Sequence, residues 1–230
     1  MKLQVVILAG GLGKRLGNLT KDTPKALINI SGKPFIAHQL DYLKKEGFKN
    51  ITICSSYLSS KIKEYVGDGS KFNLNVSYSE DGPKLLGTGG SIKKAIKILD
   101  NSFFVLFGDT FLPINYSTVE KAFFNQKNPA LMTILKNNNE WDKSNAHFEN
   151  NLVNYNKKEP KNYMKYIDYG LSVVNNSIFN EFPDNKYFDI SDVFQELSKQ
   201  KLLSGYEVKE RFYEIGSVKG LKETTEFLKR

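Results

Sequence analysis

The sequence predicts an α/β fold: an open, mostly parallel β-sheet with helices on both faces. Two observations predict it. Short apolar runs of strand length alternate with amphipathic segments of helix length along the first half of the 230-residue chain. The first of these runs is continuously apolar, which is typical of a strand buried on both faces of a parallel sheet. Strands connected through helices at this spacing pair in parallel.

The predicted elements follow one another in order. Residues 3–8 form the first strand and end in glycines, and residues 34–46 form a helix that Gly47 stops. Strands are then predicted at 51–55, 74–78 and 103–107, with helices at 59–66 and 90–99. After Pro113 the pattern loosens: segments 130–135, 152–155 and 167–174 favour strands, and segments 189–199 and 218–229 favour helices. We interpret residues 1–230 as a single domain.

Composition and charge restrict the possible functions. The formal net charge is +8, but the lysines are scattered rather than gathered in a basic block, so we expect no nucleic-acid partner. The chain has no apolar run near the roughly 20 residues that span a bilayer, so we expect no membrane role. The single cysteine, Cys54, excludes an internal disulfide, and no signal peptide is evident, so we expect a cytoplasmic protein. Monomer and homo-oligomer both stay open.

A glycine-rich segment follows the first strand. Its glycines allow backbone N–H groups to approach a phosphate chain, and Arg15 adds a forked cation. A Walker A loop is excluded because Arg15 stands where Ser or Thr is needed, and a dinucleotide fingerprint would need Gly or Ala in place of Leu16. The segment therefore predicts a triphosphate-binding loop, with the sequence Leu8-Ala9-Gly10-Gly11-Leu12-Gly13-Lys14-Arg15-Leu16.

A carboxylate stands directly after the fourth predicted strand, at Gly108-Asp109. Ligands of open α/β sheets bind beyond the carboxyl ends of the strands, so Asp109 should face the glycine-rich loop. Mg²⁺ takes one or two carboxylates together with phosphate oxygens. We therefore predict that Asp109 binds Mg²⁺, although Gly-Asp is also common in turns.

In this order, the motifs resemble those of sugar-1-phosphate nucleotidyltransferases from residue 3 to about residue 228. The resemblance implies a Rossmann-like, GT-A-like fold with a β-rich sugar-binding insertion, a nucleotide-binding half at 1–112 and a sugar-phosphate-binding half at 113–230. It also implies a Mg²⁺-dependent reaction of a nucleoside triphosphate with a sugar 1-phosphate. The motifs are residues 8–16, Thr23-Pro24-Lys25-Ala26-Leu27, Leu86-Gly87-Thr88-Gly89-Gly90 and Gly108-Asp109.

The resemblance also implies roles for single residues. Arg15, Lys25 and Asp109 would be catalytic, and Asp109 and Glu214 would hold the metal. Many relatives have aspartate in place of Glu214, so a structural role, with its carboxylate bonded to a backbone amide, is the alternative. The nucleotide would contact Leu8, Ala9, Gly10, Gly11, Gly13, Arg15, Lys25, Glu80, Gly87, Thr88 and Gly108. The sugar phosphate would contact Asp109, Asn145, Lys157 (or Lys158), Asp168 and Gly170.

The substrates stay open at this point. Glu80 could accept the N1–H and N2–H₂ donors of guanine, and the chain resembles heptose- and mannose-1-phosphate guanylyltransferases, but enzymes that use UTP or CTP share much of the pattern. Phosphocholine is an alternative acceptor if Tyr163, Tyr166 and Tyr169 form an aromatic cage. A non-catalytic nucleotide-binding subunit is the alternative outside the enzymes.

Overall fold

The computed structural model describes residues 2–229, and a nine-stranded β-sheet runs through it. The strands are β1 (Gln4–Leu8), β2 (Asn29–Ile30), β3 (Lys33–Pro34), β4 (Asn50–Ser55), β5 (Asn75–Glu80), β6 (Ser102–Phe107), β7 (Thr110–Phe111), β8 (Ala130–Lys136), β9 (Ala146–Glu149), β10 (Leu152–Tyr155), β11 (Tyr166–Asn175), β12 (Leu203–Val208) and β13 (Tyr213–Glu214). The helices are α1 (Phe35–Lys45), α2 (Ser59–Val66), α3 (Gly87–Ala95), α4 (Tyr116–Phe124), α5 (Ile190–Lys199) and α6 (Val218–Leu228). The predicted elements are confirmed to within a few residues, whereas α4, β9, β12 and the two-residue strands β2, β3, β7 and β13 were not predicted.

The first half of the chain forms the parallel part of the sheet. Strand β1 lies between β4 and β6 and pairs with both in parallel, and β4 pairs in parallel with β5. Residues Val5 to Ile7 of β1 are fully buried, which explains their continuous apolar run. The carboxyl ends of β1, β4 and β6 therefore lie side by side at one edge of the sheet.

The second half of the chain departs from the prediction. Strand β11 pairs antiparallel with both β6 and β8, and β9 and β10 form an antiparallel hairpin that turns at Asn150 and Asn151, both with positive φ. So short a connection can join only antiparallel strands. The expected mostly parallel sheet is therefore wrong for this half, where only β8 and β12 pair in parallel. An open sheet is not confirmed either, because β9 also pairs with β11 through Ala146 and Tyr166.

Helices cover both faces of the sheet, as predicted. Alternate residues of β1 point to opposite faces: Ile7 packs in one core with Leu40 of α1, and Val6 packs in the other with Ile92 of α3 and Phe194 of α5. Helices α2 and α4 belong to the first core. Within residues 2–229, no helix combines the length and apolarity needed to cross a membrane.

Candidate active site

A cavity of about 430 Å³ opens at the carboxyl ends of β1, β4 and β6. This is the edge of the sheet at which α/β proteins bind ligands. The cavity brings together residues predicted from four separate motifs: Leu8, Ala9, Gly10, Gly11, Gly13, Arg15, Lys25, Gly87, Thr88, Gly108 and Asp109.

The glycine-rich loop is held from beneath by two hydroxyl groups. Ser56 Oγ donates a hydrogen bond to the carbonyl oxygen of Gly10 (2.7 Å), and Thr20 Oγ1 donates to that of Gly13 (3.0 Å). Gly13 has a φ of 64°, and a methyl group there would lie 2.6 Å from the Thr20 side chain, so glycine is required. The loop is therefore fixed before any ligand binds.

Gly108 brings the metal-ligand candidate to the loop. Its N–H donates to the carbonyl oxygen of Leu8 (3.0 Å), and a Cβ atom at this position would lie only 2.7 Å from that oxygen. Without a side chain at residue 108, β6 and β1 stay close together as they end. Asp109, the next residue, consequently enters the cavity.

Arg15, Lys25 and Asp109 lie together in one part of the cavity. Lys25 Nζ lies 2.7 Å from Asp109 Oδ2, and the hydroxyl of Thr110 donates to Asp109 Oδ1 (3.2 Å). A methyl group at Gly216 would lie 2.9 Å from Arg15 Nη2 and 3.3 Å from Lys25 Nζ. Arg15 and Lys25 thus flank the same turn, where they can neutralise a phosphate chain.

The two predicted metal ligands differ in what they present to the cavity. Asp109 offers a half-buried carboxylate there, which suits Mg²⁺ bound by one carboxylate and by phosphate oxygens. Glu214 instead accepts hydrogen bonds from the N–H of Gly216 and the hydroxyl of Ser217. Asp109 therefore fits the metal, whereas the contacts of Glu214 match the structural alternative. Residues 2–229 contain no cluster of three or more His, Cys, Asp or Glu side chains that would hold a metal without phosphate.

Glu80, predicted to contact the base, is not among the residues that line the cavity. Its side chain pairs with Lys63 at the outer edge of the sheet, which lowers the pKa of the Glu80 carboxyl. Asp81 lines the cavity instead and accepts hydrogen bonds from the N–H of Leu86 (3.0 Å) and the hydroxyl of Ser91 (2.6 Å). Because Asp81 is the first residue after β5, searching each strand end would have found it.

Three residues of the second half also line the cavity and were not predicted as site residues, namely Tyr187, Asp189 and Gly216. Asp189 Oδ1 accepts hydrogen bonds from the Thr88 N–H (3.2 Å) and hydroxyl (3.0 Å), and the N–H groups of Gly89 and Gly90 donate to Phe188. Residues Gly87 to Gly90, the first turn of α3, are thus held by residues about 100 positions away in the chain, and the sequence carries no local signal of this contact.

The predicted sugar-phosphate residues form a second cluster beside β6. Asn145 Oδ1 accepts from the Asp168 N–H (2.9 Å), and Asp168 Oδ1 accepts from the Gly170 N–H (3.0 Å). Gly170 has a φ of 100°, and a methyl group there would lie 3.3 Å from Phe107. Burial raises the pKa of Asp168 to about 6, against the opposing effects of the Gly170 N–H and the charge of Lys157. The alternative lysine, Lys158, instead pairs with Asp192.

The tyrosines of the proposed aromatic cage do not converge. Tyr169 is buried in the core on one face of the sheet, and Tyr166 packs against the core on the other. Tyr163 is exposed beside His147. These three tyrosines therefore form no aromatic cage of the kind that would favour phosphocholine as the acceptor.

The fold and this cavity are those of an α/β protein that binds a nucleotide and transfers a phosphorus-containing group. The model of the nucleotidyl transferase family matches residues 4–230, so the chain belongs to that family. The predicted resemblance to sugar-1-phosphate nucleotidyltransferases is confirmed.

Three relatives illustrate the similarity. The D-glycero-alpha-D-manno-heptose 1-phosphate guanylyltransferase of Campylobacter jejuni is 34% identical over 93% of this chain and 95% of its own. The N-acetylmuramate alpha-1-phosphate uridylyltransferase of Neisseria meningitidis is 37% identical over half of each chain. The crystal structure of HddC from Yersinia pseudotuberculosis complexed with GMP-PN has a TM-score of 0.80 at 25% identity and covers 99% of this chain and 100% of its own.

Proposed function

We propose that the protein is a sugar-1-phosphate guanylyltransferase that converts GTP and a heptose or hexose 1-phosphate into a GDP-sugar and pyrophosphate. The observation that carries the proposal is the convergence of the glycine-rich loop, Arg15, Lys25 and Asp109 in one cavity. A subunit that only bound nucleotide would need neither the ion pair nor its position beside the phosphate loop.

The reaction requires no protein nucleophile. The phosphate oxygen of a sugar 1-phosphate is already ionised, and it attacks the α-phosphorus of GTP as the bond to pyrophosphate breaks, so positioning and charge neutralisation are the tasks of the protein. Burial of Cys54 beside the cavity raises the pKa of its thiol to about 12, which keeps it protonated and unreactive. Arg15 and Lys25 offset the charge that gathers on pyrophosphate and the α-phosphoryl group.

Magnesium completes the charge balance in this proposal. Asp109 would hold the ion, which would supply positive charge to the nucleotide phosphate and the attacking phosphate. Lys25 contacts the same carboxylate and is close enough to share in that neutralisation. The neighbouring Asn145, Lys157, Asp168 and Gly170 would receive the sugar phosphate.

The preference for guanine rests on the relatives. The heptose 1-phosphate guanylyltransferase of Campylobacter jejuni matches nearly the whole chain, whereas the Neisseria uridylyltransferase matches half of it. The carboxylates of Asp81 and Asp189 accept hydrogen bonds from Leu86, Thr88 and Ser91 and so stabilise the start of α3 beside the cavity. UTP is the second candidate that the experiment must separate.

We also propose that the protein works in the cytoplasm, for which a single, unpaired and buried Cys54 is suited. Its partners would be the two small substrates, without nucleic acid or membrane.

The test is pyrophosphate release by the purified protein with Mg²⁺. GTP, UTP, CTP, dTTP and ATP are each combined with heptose, hexose and amino-sugar 1-phosphates and with phosphocholine. We expect the highest kcat/KM with GTP and a heptose or hexose 1-phosphate. Higher turnover with UTP would replace the guanylyltransferase by a uridylyltransferase, and binding of triphosphate without turnover of any pair would contradict the enzyme proposal.

A further inference from the structure

The carboxylate of Glu214 is folded back onto its own chain. One of its oxygens accepts the N–H of Gly216, and the other accepts the hydroxyl of Ser217. Ser217 is the N-cap of α6, and its Oγ in turn accepts the N–H of Gly220 (2.9 Å). A continuous run of hydrogen bonds therefore joins Gly220 through Ser217 to Glu214.

Gly220 provides the space that this arrangement needs. It is buried inside α6, and a Cβ atom there would overlap the Glu214 carboxylate. Glycine is the weakest helix former apart from proline, so its presence in the first turns of a helix calls for a reason. The reason here is steric: the Glu214 carboxylate occupies the volume that a side chain at residue 220 would fill.

The same carboxylate sits beside the catalytic groups. Glu214 pairs with Thr110 across β13 and β7, and the N–H of Ile215 donates to the backbone oxygen of Asp109 (2.9 Å). Through Gly216, the turn that Glu214 closes lies against Arg15 and Lys25. The orientation of this turn therefore affects the positions of Asp109, Arg15 and Lys25.

We propose that Glu214, Ser217 and Gly220 form one matched unit, and that Glu214 positions the segment beside Asp109 rather than binding Mg²⁺ itself. Asp109 is then the single protein carboxylate on the metal. The part about Mg²⁺ rests on the proposed function, whereas the matched unit does not.

A double-mutant cycle tests the unit by thermal unfolding. Gly220→Ala forces a methyl group into the carboxylate, and we expect it to lower the Tm by at least about 3 °C. In a Glu214→Ala background the carboxylate is gone, and of the three nearest atoms only the backbone oxygen of residue 214, 2.7 Å from the Cβ position, still opposes the methyl group. Because alanine is also the better helix former, the same change should lower the Tm by less than in the wild type. Lys222→Ala, an exposed change in the same helix, is the control and should behave alike in both backgrounds.

A smaller Tm loss in the Glu214→Ala background is the expected result, and it can be measured there even if Gly220→Ala alone unfolds the protein. An equal effect of Gly220→Ala in both backgrounds would overturn the matched unit.

Mn²⁺ binding in the presence of GTP, followed by electron paramagnetic resonance without acceptor sugar, tests the role of Glu214. If Glu214 acts by position, Gly220→Ala and Glu214→Gln weaken Mn²⁺ binding by a similar factor, on the order of tenfold, and Asp109→Asn weakens it more. A different result would show that Glu214 is a metal ligand: Glu214→Gln would weaken Mn²⁺ binding as much as Asp109→Asn does, while Gly220→Ala would bind Mn²⁺ like the wild type. If Asp109→Asn had no effect, the metal part would fall with the proposed function, and the unfolding result would stand alone.

Discussion

Lys25 and Asp109 form an ion pair of 2.7 Å at the mouth of the phosphate-binding loop, although 84 residues separate them in the chain. The side chain of Lys25 is 13% exposed and that of Asp109 is 34% exposed. The pair is therefore too open to water to be a large source of stability. Its value lies in holding a cation and a carboxylate where a nucleoside triphosphate would bind.

Asp109→Asn should abolish catalysis and leave the fold intact. Losing one group that stabilises transition-state charge costs on the order of 10²- to 10³-fold in rate, whereas a partly exposed ion pair contributes only about 1 kcal/mol to stability. Steady-state kinetics with thermal unfolding measure both, and Asp100→Asn, an exposed aspartate outside the cavity, is the control. An Asp109→Asn variant that kept most of its kcat would remove this residue from the mechanism.

Gly108→Ala and Gly11→Ala should separate folding from binding. A methyl group at Gly108 would lie 2.7 Å from the carbonyl oxygen of Leu8, so we expect a loss of about 1–3 kcal/mol in the free energy of unfolding. Gly11 has no atom within 4 Å of the corresponding position, so its variant should fold normally. Because the triphosphate would approach that backbone, Gly11→Ala should instead raise the KM for GTP. Urea unfolding and steady-state kinetics of both variants measure this contrast. Equal losses in the free energy of unfolding would contradict it.

Asp81 should matter to nucleotide binding and Glu80 should not. Asp81→Asn replaces one acceptor oxygen by a donor facing the Leu86 N–H or the Ser91 hydroxyl, which should cost about 1–3 kcal/mol and loosen the loop on the nucleotide side. We expect a KM for GTP raised by roughly tenfold, since 1.4 kcal/mol corresponds to a factor of ten. Glu80→Gln, which removes only an exposed pair with Lys63, should leave the KM within about twofold. The opposite ranking would restore Glu80 as a base-binding residue.

These residues show what the sequence could and could not predict. The glycine-rich loop and Asp109 were predictable because each directly follows a buried strand, and the ends of neighbouring parallel strands meet at one edge. Asp81 rather than Glu80 lines the cavity, because at a strand end a step of one residue turns a side chain to the other face. Tyr187 and Asp189 could not be predicted, because their positions beside Gly87 and Thr88 depend on the packing of α5 against α3.

The second half shows a further limit. Strands β8, β10 and β11 were predicted but β9 and β12 were not, and the strand directions were not predicted, since an antiparallel hairpin and a parallel crossover carry similar apolar runs. The back-folded carboxylate of Glu214 likewise depends on Gly220 in the following helix, a steric match that no pattern of residue types displays.

Asp168 should make stability depend on pH. Its pKa is raised to about 6 in the folded protein from an ordinary value of 3.8. Between these values the unfolded chain ionises this group while the folded protein keeps it protonated, so the free energy of unfolding falls as pH rises. One pKa unit corresponds to about 1.4 kcal/mol, so the loss is at most about 3 kcal/mol and is reduced by solvent at this half-buried site.

The comparison that isolates this effect is urea unfolding of the wild type and Asp168→Asn from about pH 4 to pH 7. The variant should gain stability relative to the wild type as pH rises through about 6, and the difference should then stay constant. Parallel curves over the whole range would mean that Asp168 titrates at its ordinary pKa.

Tyr187 should act as an aromatic surface for the nucleobase. Its side chain lines the cavity, yet 66% of it is exposed, and its ring lies 3.2 Å from the position of a methyl group at Gly87. Stacking of a base on an aromatic ring contributes about 1–3 kcal/mol. Tyr187→Ala should therefore raise the KM for GTP about tenfold or more at unchanged kcat. Tyr187→Phe, which loses only the long hydroxyl contact to Asp189 (3.4 Å), should resemble the wild type.

Tyr163 provides the matched control for this last prediction, because it is similarly exposed at 53% but does not line the cavity. Tyr163→Ala should leave the KM for GTP unchanged. If Tyr187→Phe and Tyr187→Ala raised the KM for GTP equally, the effect would belong to the hydroxyl and not to the ring. The hydroxyl would then act through its contact with Asp189, which binds Thr88. Kinetics of the three variants therefore decide whether the exposed ring binds the base or the hydroxyl supports the loop.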